Sequence, residues 1–223
     1  MAAVAKAGPC IILAPMLISL AQTAGFLLAA ILVILSPGPD NLMVLSLGLA
    51  RGRRAGMVFG LGCALGCLSH TTLAALGVSA LIAASPVAFT GLKLAGGAYL
   101  LWLGWQALRS HGSGPLPRQA GNGSLRRLFA KGLVANAINP KVILFFLAFL
   151  PQFVDVGRGG VAWQTAQLGV LFTFLSVLIF GAIGYFSGVV GAWLARAPGR
   201  SAWLDRGAGC VFVLLGLRLL TAR

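Results

Sequence analysis

Apolar residues run through this chain in long blocks, and its polar positions gather in the short stretches between them. Ile12–Leu35 carries no charged residue and is long enough on its own to cross a bilayer, which takes about 20 apolar residues. Read as helices, the blocks predict six spans: Leu17–Leu49, Gly56–Ala84, Val87–Leu108, Leu128–Leu150, Gln164–Leu194 and a shorter Leu204–Leu220. Two of them are interrupted. The first holds Ser36-Pro37-Gly38-Pro39-Asp40-Asn41 near its middle, and the fourth holds Asn139-Pro140-Lys141. Proline has no backbone N–H and glycine weakly supports a helix, so the α-helix breaks at both places. A break in lipid strands N–H and C=O groups at several kcal/mol each, so it is tolerated only where protein or a water-filled cavity covers it.

Composition narrows the class. The 223 residues are 59% hydrophobic and 9% charged, with Asp40, Asp155 and Asp205 as the only acids, which excludes an ordinary soluble globule and marks an all-α polytopic membrane protein. The 31 glycines suit close helix packing in lipid. The net charge of +14 would suggest nucleic acid in a soluble protein, but no aromatic-interleaved basic groove accompanies it. Instead, eleven of the seventeen Lys and Arg fall in the stretches 51–54, 109–131 and 196–206. Bases in alternate short loops mark the cytoplasmic side, so those loops lie inside.

The interruptions suggest a duplication. Phe26 precedes Pro37 by eleven residues, and Phe129 precedes Pro140 by eleven. Each break falls in the first span of a three-span half, residues 16–108 and 128–223, joined by a cytoplasmic linker at 109–127. Three spans are an odd number, so the second half enters the membrane inverted. Paired discontinuous helices in inverted repeats point to a transport site. Residues 1–15, with Pro9 and Pro15, form an atypical N-terminal extension outside this plan.

The same residues carry a family likeness. Ser36-Pro37-Gly38-Pro39-Asp40 followed by Gly48 through Gly56, then Leu92-Lys93-Leu94-Ala95-Gly96-Gly97-Ala98-Tyr99, then Phe129-Ala130-Lys131-Gly132 with Asn136 and Asn139-Pro140-Lys141, resemble three ordered signatures of the LysE/RhtB amino-acid exporters. The resemblance implies a bacterial inner-membrane exporter of amino acids or close derivatives, driven by the proton motive force and needing no cofactor. Its partners would be an amino acid, protons and the bilayer, and a homo-oligomer is compatible with it. Substrate identity does not transfer, because the family handles basic and neutral amino acids alike.

The candidate substrate-binding or coupling residues are Pro37, Gly38, Pro39, Asp40, Asn41, Lys93, Asn136, Asn139, Pro140 and Lys141. Asp40 is an intramembrane carboxylate at a break, able to meet a substrate ammonium or to carry the coupled proton. Lys93 and Lys141 could receive a substrate carboxylate. Lys93 could equally snorkel to the outer interface, whereas Lys141 adjoins a break. Asn136 and Asn139 can cap orphaned backbone groups or touch substrate. Asp155 and Asp205 fall in or next to loops, so Asp40 carries the coupling hypothesis almost alone. Cys63, Cys67 and His70 share a helix face, and a packing role suits them better than metal binding, because i to i+7 spans about 10 Å of rise. An enzyme would need a second buried acid, a His-Glu metal motif or an activated nucleophile. Export of another small solute or a soft metal ion, or a passive channel, are the alternatives to amino-acid export.

Overall fold

The computed structural model describes residues 18–110, 124–196 and 199–221, so the 1–15 extension and most of the 109–127 linker, with His111, lie outside the described residues. The described chain is all-helical. Helix α1 (Leu20–Leu35) starts at a capping box, in which Ser19 Oγ accepts from Gln22 N and Gln22 Oε1 accepts from Ser19 N. It ends at Ser36, and α2 (Pro39–Arg51) leaves at a 55° bend. Gly52, at φ +86°, turns the chain directly into α3 (Arg53–Leu73), a conformation glycine adopts without a Cβ clash.

A π-helical turn (Ala74–Val78) and α4 (Ser79–Ala84) lead to α5 (Pro86–Leu108), so the predicted second span is not one regular helix. After the linker, α6 (Leu125–Ala137) starts three residues earlier than predicted, because Ser124 caps it. Then α7 (Pro140–Leu144) runs on through a π turn (Phe145–Phe149) and a 3₁₀ turn (Leu150–Phe153), bent by 50° from α6. The predicted fifth span is divided at Phe186 into α8 (Val161–Tyr185) and α9 (Ser187–Ala195). Helix α10 (Gly199–Thr221) completes the described chain.

Among the described residues, three stretches, Arg53–Gly77, Val87–Leu108 and Val161–Tyr185, are long and apolar enough to cross a membrane, and the two bent pairs raise the number to five. Helix α10 is long enough, but Arg200, Asp205, Arg206 and Arg218 interrupt its apolar sequence. Leucine, valine and aromatic side chains cover the outer faces; Leu20 is 86% and Val87 81% exposed, as suits lipid contact.

Helix α3 is the centre of the molecule. It packs against α2, α6 and α8, while α5 and α10 pair with one another and touch the Phe145–Phe149 turn. Its glycines allow the contact. A Cβ on Gly62 would collide with the Phe129 carbonyl of α6, and one on Gly132 with the Phe59 carbonyl of α3. Such reciprocal small-residue crossings replace a hydrophobic driving force that lipid cannot supply. Aromatic rings of Phe26, Phe145, Phe149, Phe153 and Phe172 fill the space between the broken helices, with Phe145 and Phe172 centroids 4.9 Å apart. At the end away from the basic stretches, buried Gln164 closes the bundle by donating to the Asp155 and Gly159 carbonyls, with Gln22 donating to Phe153 O at 2.9 Å.

One sequence inference shifts. The helix restarts at Pro39 and at Pro140, each the first helical residue of its second half. Pro39, not Pro37, therefore holds the position after its break that Pro140 holds after the other, and Asp40 and Lys141 each come next. Proline tolerates the first helical position because its missing N–H would be unpaired there anyway, and that sets the register.

Candidate site between the two broken helices

Each break exposes helix ends, and the side chains of the other break cover them. The ammonium of Lys141, at the start of α7, donates to the Val33 carbonyl at 3.1 Å and the Ser36 carbonyl at 3.0 Å, with Ser36 Oγ at 3.4 Å. These are the orphaned acceptors at the C-terminus of α1. A cation there also meets the negative end of that helix dipole. Asn41 reaches back from α2 to donate to Ile34 O at 2.8 Å, and Ser36 Oγ donates to Val33 O at 2.7 Å. Gly38 makes room for the ammonium, since a Cβ there would lie 3.0 Å from Lys141 Nζ.

In the other direction, Asn136 near the end of α6 donates through Nδ2 to Asp40 Oδ2 at 2.9 Å. Asp40 stands in the first turn of α2, at the positive end of its dipole. Asn136 is itself held from α3: its Oδ1 lies 3.5 Å from the Cys67 thiol, and its carbonyl accepts from His70 Nε2 at 3.1 Å. Cys67 and His70 thus clamp the asparagine that meets Asp40. Asn139 caps α7, accepting from Lys141 N at 3.0 Å.

Asp40, Asn136, Asn139 and Lys141 are all buried in protein. A charge at such depth persists only where it is paired or hydrogen-bonded. The bonds of Lys141 go to carbonyls and to Ser36, and that of Asp40 to Asn136, so carboxylate and ammonium are each satisfied without touching one another. They share a cavity of about 10 Å³ with Val33, Ile34, Cys67, Val142, Phe172, Phe180 and Ser176. That is room for a single water at most, so the site is shut.

The sequence candidates divide. Asp40, Asn136 and Lys141 line the cavity, while Gly38, Asn41 and Asn139 shape the breaks around it. Pro39 and Pro140 are exposed helix starters, and Pro37 borders a separate groove. Lys93 is half-buried on α5 and does not line the cavity.

Two residues escaped the sequence reading. Ser176 on α8 is fully buried at the cavity, where its hydroxyl lies near the Cys67 thiol without a well-formed hydrogen bond. Its signal was a Thr173–Ser176 pair on one helix face within an apolar span. Asp205 is also buried, so the loop-side placement expected for it is wrong and a second buried acid exists. Helix α10 begins at Gly199, and Asp205 lies within it against α5, where its Oδ2 accepts from Ser110 Oγ at 2.6 Å.

The sequence model of the LysE type translocators matches residues 31–223. Among the similar proteins, an uncharacterized membrane protein of Pseudomonas aeruginosa is 36% identical over 88% of this chain and 94% of its own. A homoserine/homoserine lactone efflux protein of Salmonella typhi is 33% identical over 89% and 95%. A leucine efflux protein of Enterobacter sp. is 33% identical over 70% and 76%. No solved structure matches. The chain belongs to the LysE type translocator family. It is a multi-pass transport protein of the bacterial inner membrane and not an enzyme.

Proposed function

We propose that this chain exports amino acids or close derivatives from the cytoplasm by proton-coupled antiport, with the cavity between the two breaks as its substrate site. The observation that carries the reading is the pairing of a buried carboxylate and a buried ammonium at matching positions of two broken helices. An amino acid presents the complementary pair. Its ammonium replaces the Asn136 amide at Asp40, and its carboxylate replaces the Val33 and Ser36 carbonyls at Lys141. When it departs, the protein's own groups re-form the caps, so the empty carrier closes without leaving either charge bare. The efflux activities named for the relatives support the substrate class.

Asp40 takes the returning proton in the substrate-free half of the cycle. The six spans form two inverted three-helix units, 16–108 and 128–223, with the basic stretches inside and α10 as the sixth span. Movement of one broken pair against the other opens the site to each side in turn. Ser176 faces the side chain of the substrate, since its hydroxyl is the uncommitted polar group at the cavity.

Proteoliposomes test the coupling. Asp40→Asn keeps size and the bond to Asn136 but removes the titration, so export driven by an imposed pH gradient should vanish while exchange of labelled substrate partly survives. An Asp40→Asn protein that responds fully to the gradient places the proton on another group.

A further inference from the structure

Beside the closed cavity, α2, α9 and α10 enclose a second space. It measures about 130 Å³, an order of magnitude more than one water needs. Its walls are apolar, with Leu42, Leu45 and Leu194 among them, and its polar lining is Asn41, Ser201 and Asp205. At one end it reaches Pro37 at the first break, and at the other Ser201, Leu204 and Asp205 in the first turns of α10.

The two polar groups that matter are acceptors. Asn41 is 8% exposed, and its Nδ2 is committed to Ile34 O. Its Oδ1 is buried without any hydrogen-bond partner, an unfavourable state that asks for a donor. Asp205, also 8% exposed, supplies a carboxylate to the same space. Among the described residues it is the only acid at the basic end, since Asp155 lies before α8 at the opposite end of that helix.

We propose that this groove is an entry site, separate from the cavity at Asp40 and Lys141, that receives the ammonium end of an incoming amino acid on Asn41 Oδ1 and Asp205. The inference rests on the exporter reading. Asn41 Oδ1 and the Asp205 carboxylate both accept, so the end of a zwitterion that they hold is its donor, the ammonium. The apolar walls cover the side chain. Asn41 follows Asp40 directly on α2, about 100° around the helix, so one residue faces the groove and its neighbour faces the cavity. The ammonium therefore passes between adjacent residues of one helical turn.

Inside-out membrane vesicles expose this face to added leucine. Three probes separate the chemistry: leucine, 3-methylbutylamine, which keeps the ammonium and side chain, and 2-hydroxy-4-methylpentanoate, which keeps the carboxylate and side chain. For the wild type, the amine should inhibit leucine uptake more strongly than the hydroxy acid. Asp205→Asn should raise the half-saturating leucine concentration about tenfold, with the maximal rate kept and amine inhibition lost, as expected when a charge-assisted hydrogen bond used only in binding is removed. Asp205→Glu should restore both. If Asp205→Asn does not reach the membrane, Leu204→Trp fills the groove from its rim and should raise the half-saturating concentration in the same way. Unchanged half-saturation and amine inhibition in the variant that folds would overturn the proposal and leave the groove to a lipid chain. Absence of uptake of leucine, homoserine and threonine by the wild type would instead sink the exporter reading.

Discussion

The two broken helices share a plan and differ in one charge. Both have an apolar or amphipathic first half, a break, and a second half whose first residue is proline. After Pro39 comes Asp40, and after Pro140 comes Lys141. At the first break the substituent is an acid that keeps to its own helix N-terminus and accepts one bond from Asn136. At the second it is a base that leaves its own helix and crosses to the C-terminal carbonyls of α1. The difference follows from the dipole: a carboxylate is stable where it stands, whereas an ammonium at a helix N-terminus is not. Its long stem lets it reach a helix C-terminus elsewhere. Two broken helices with opposite charges after their prolines thus bury an acid and a base beside one cavity, and Lys141 makes the charged tie from the second break to the C-terminus of α1.

That asymmetry can be broken first at Lys141. Lys141→Met removes the donor to two carbonyls and leaves the α1 terminus bare, so we expect both loss of export and a destabilisation of about 1–3 kcal/mol, the range for leaving buried acceptors unsatisfied. Asp40→Asn should cost far less stability, because the amide oxygen still accepts from Asn136. Thermal unfolding in detergent of the two variants, side by side, measures the difference; equal melting points would mean that Lys141 is not the tie.

Healing one break is the next test. Pro140→Ala removes a residue disfavoured within a helix by about 3 kcal/mol, letting α6 and α7 approach continuity and drawing Lys141 away from α1. The protein should insert normally, and export per molecule should fall strongly. Full export by well-expressed Pro140→Ala would reduce the break to a packing kink.

A smaller change loosens the tie without cutting it. Gly38→Ala places a methyl 3.0 Å from Lys141 Nζ, so the ammonium must shift; overpacking of this kind costs about 1–3 kcal/mol. Reduced export with an intact fold by circular dichroism is expected, and wild-type kinetics would show that the ammonium has slack.

The smallest effect concerns the space between the charges. Ser176→Ala removes the uncommitted hydroxyl and should shift preference from hydroxylated toward apolar amino acids by about fivefold, one hydrogen bond's worth. Competition between homoserine and leucine in proteoliposomes reads the ratio. A ratio unmoved by the substitution would place the substrate side chain elsewhere.

The sequence by itself determined the membrane class, both break positions and the scarcity of charge that singled out Asp40 and Lys141. Proline cannot donate and a bilayer cannot solvate, so those features are fixed by local covalent chemistry and composition. It did not foresee the division at Phe186, where no proline stands, nor that Pro39 rather than Pro37 restarts the helix. Partners were beyond it too. Lys141 meets Ser36 across 105 residues, and nothing in Asn139-Pro140-Lys141 says which carbonyls its stem will reach. Asp205 read as a loop-side acid because bases surround it; only the packing of α10 against α5 buries it. Ser176, one hydroxyl in an apolar helix, reaches the cavity of Asp40 and Lys141 only through the packing of α8. Helix breaks are set by the residue at the break, whereas burial and hydrogen-bond partners depend on which faces the glycine crossings bring together, and that is a property of the folded bundle.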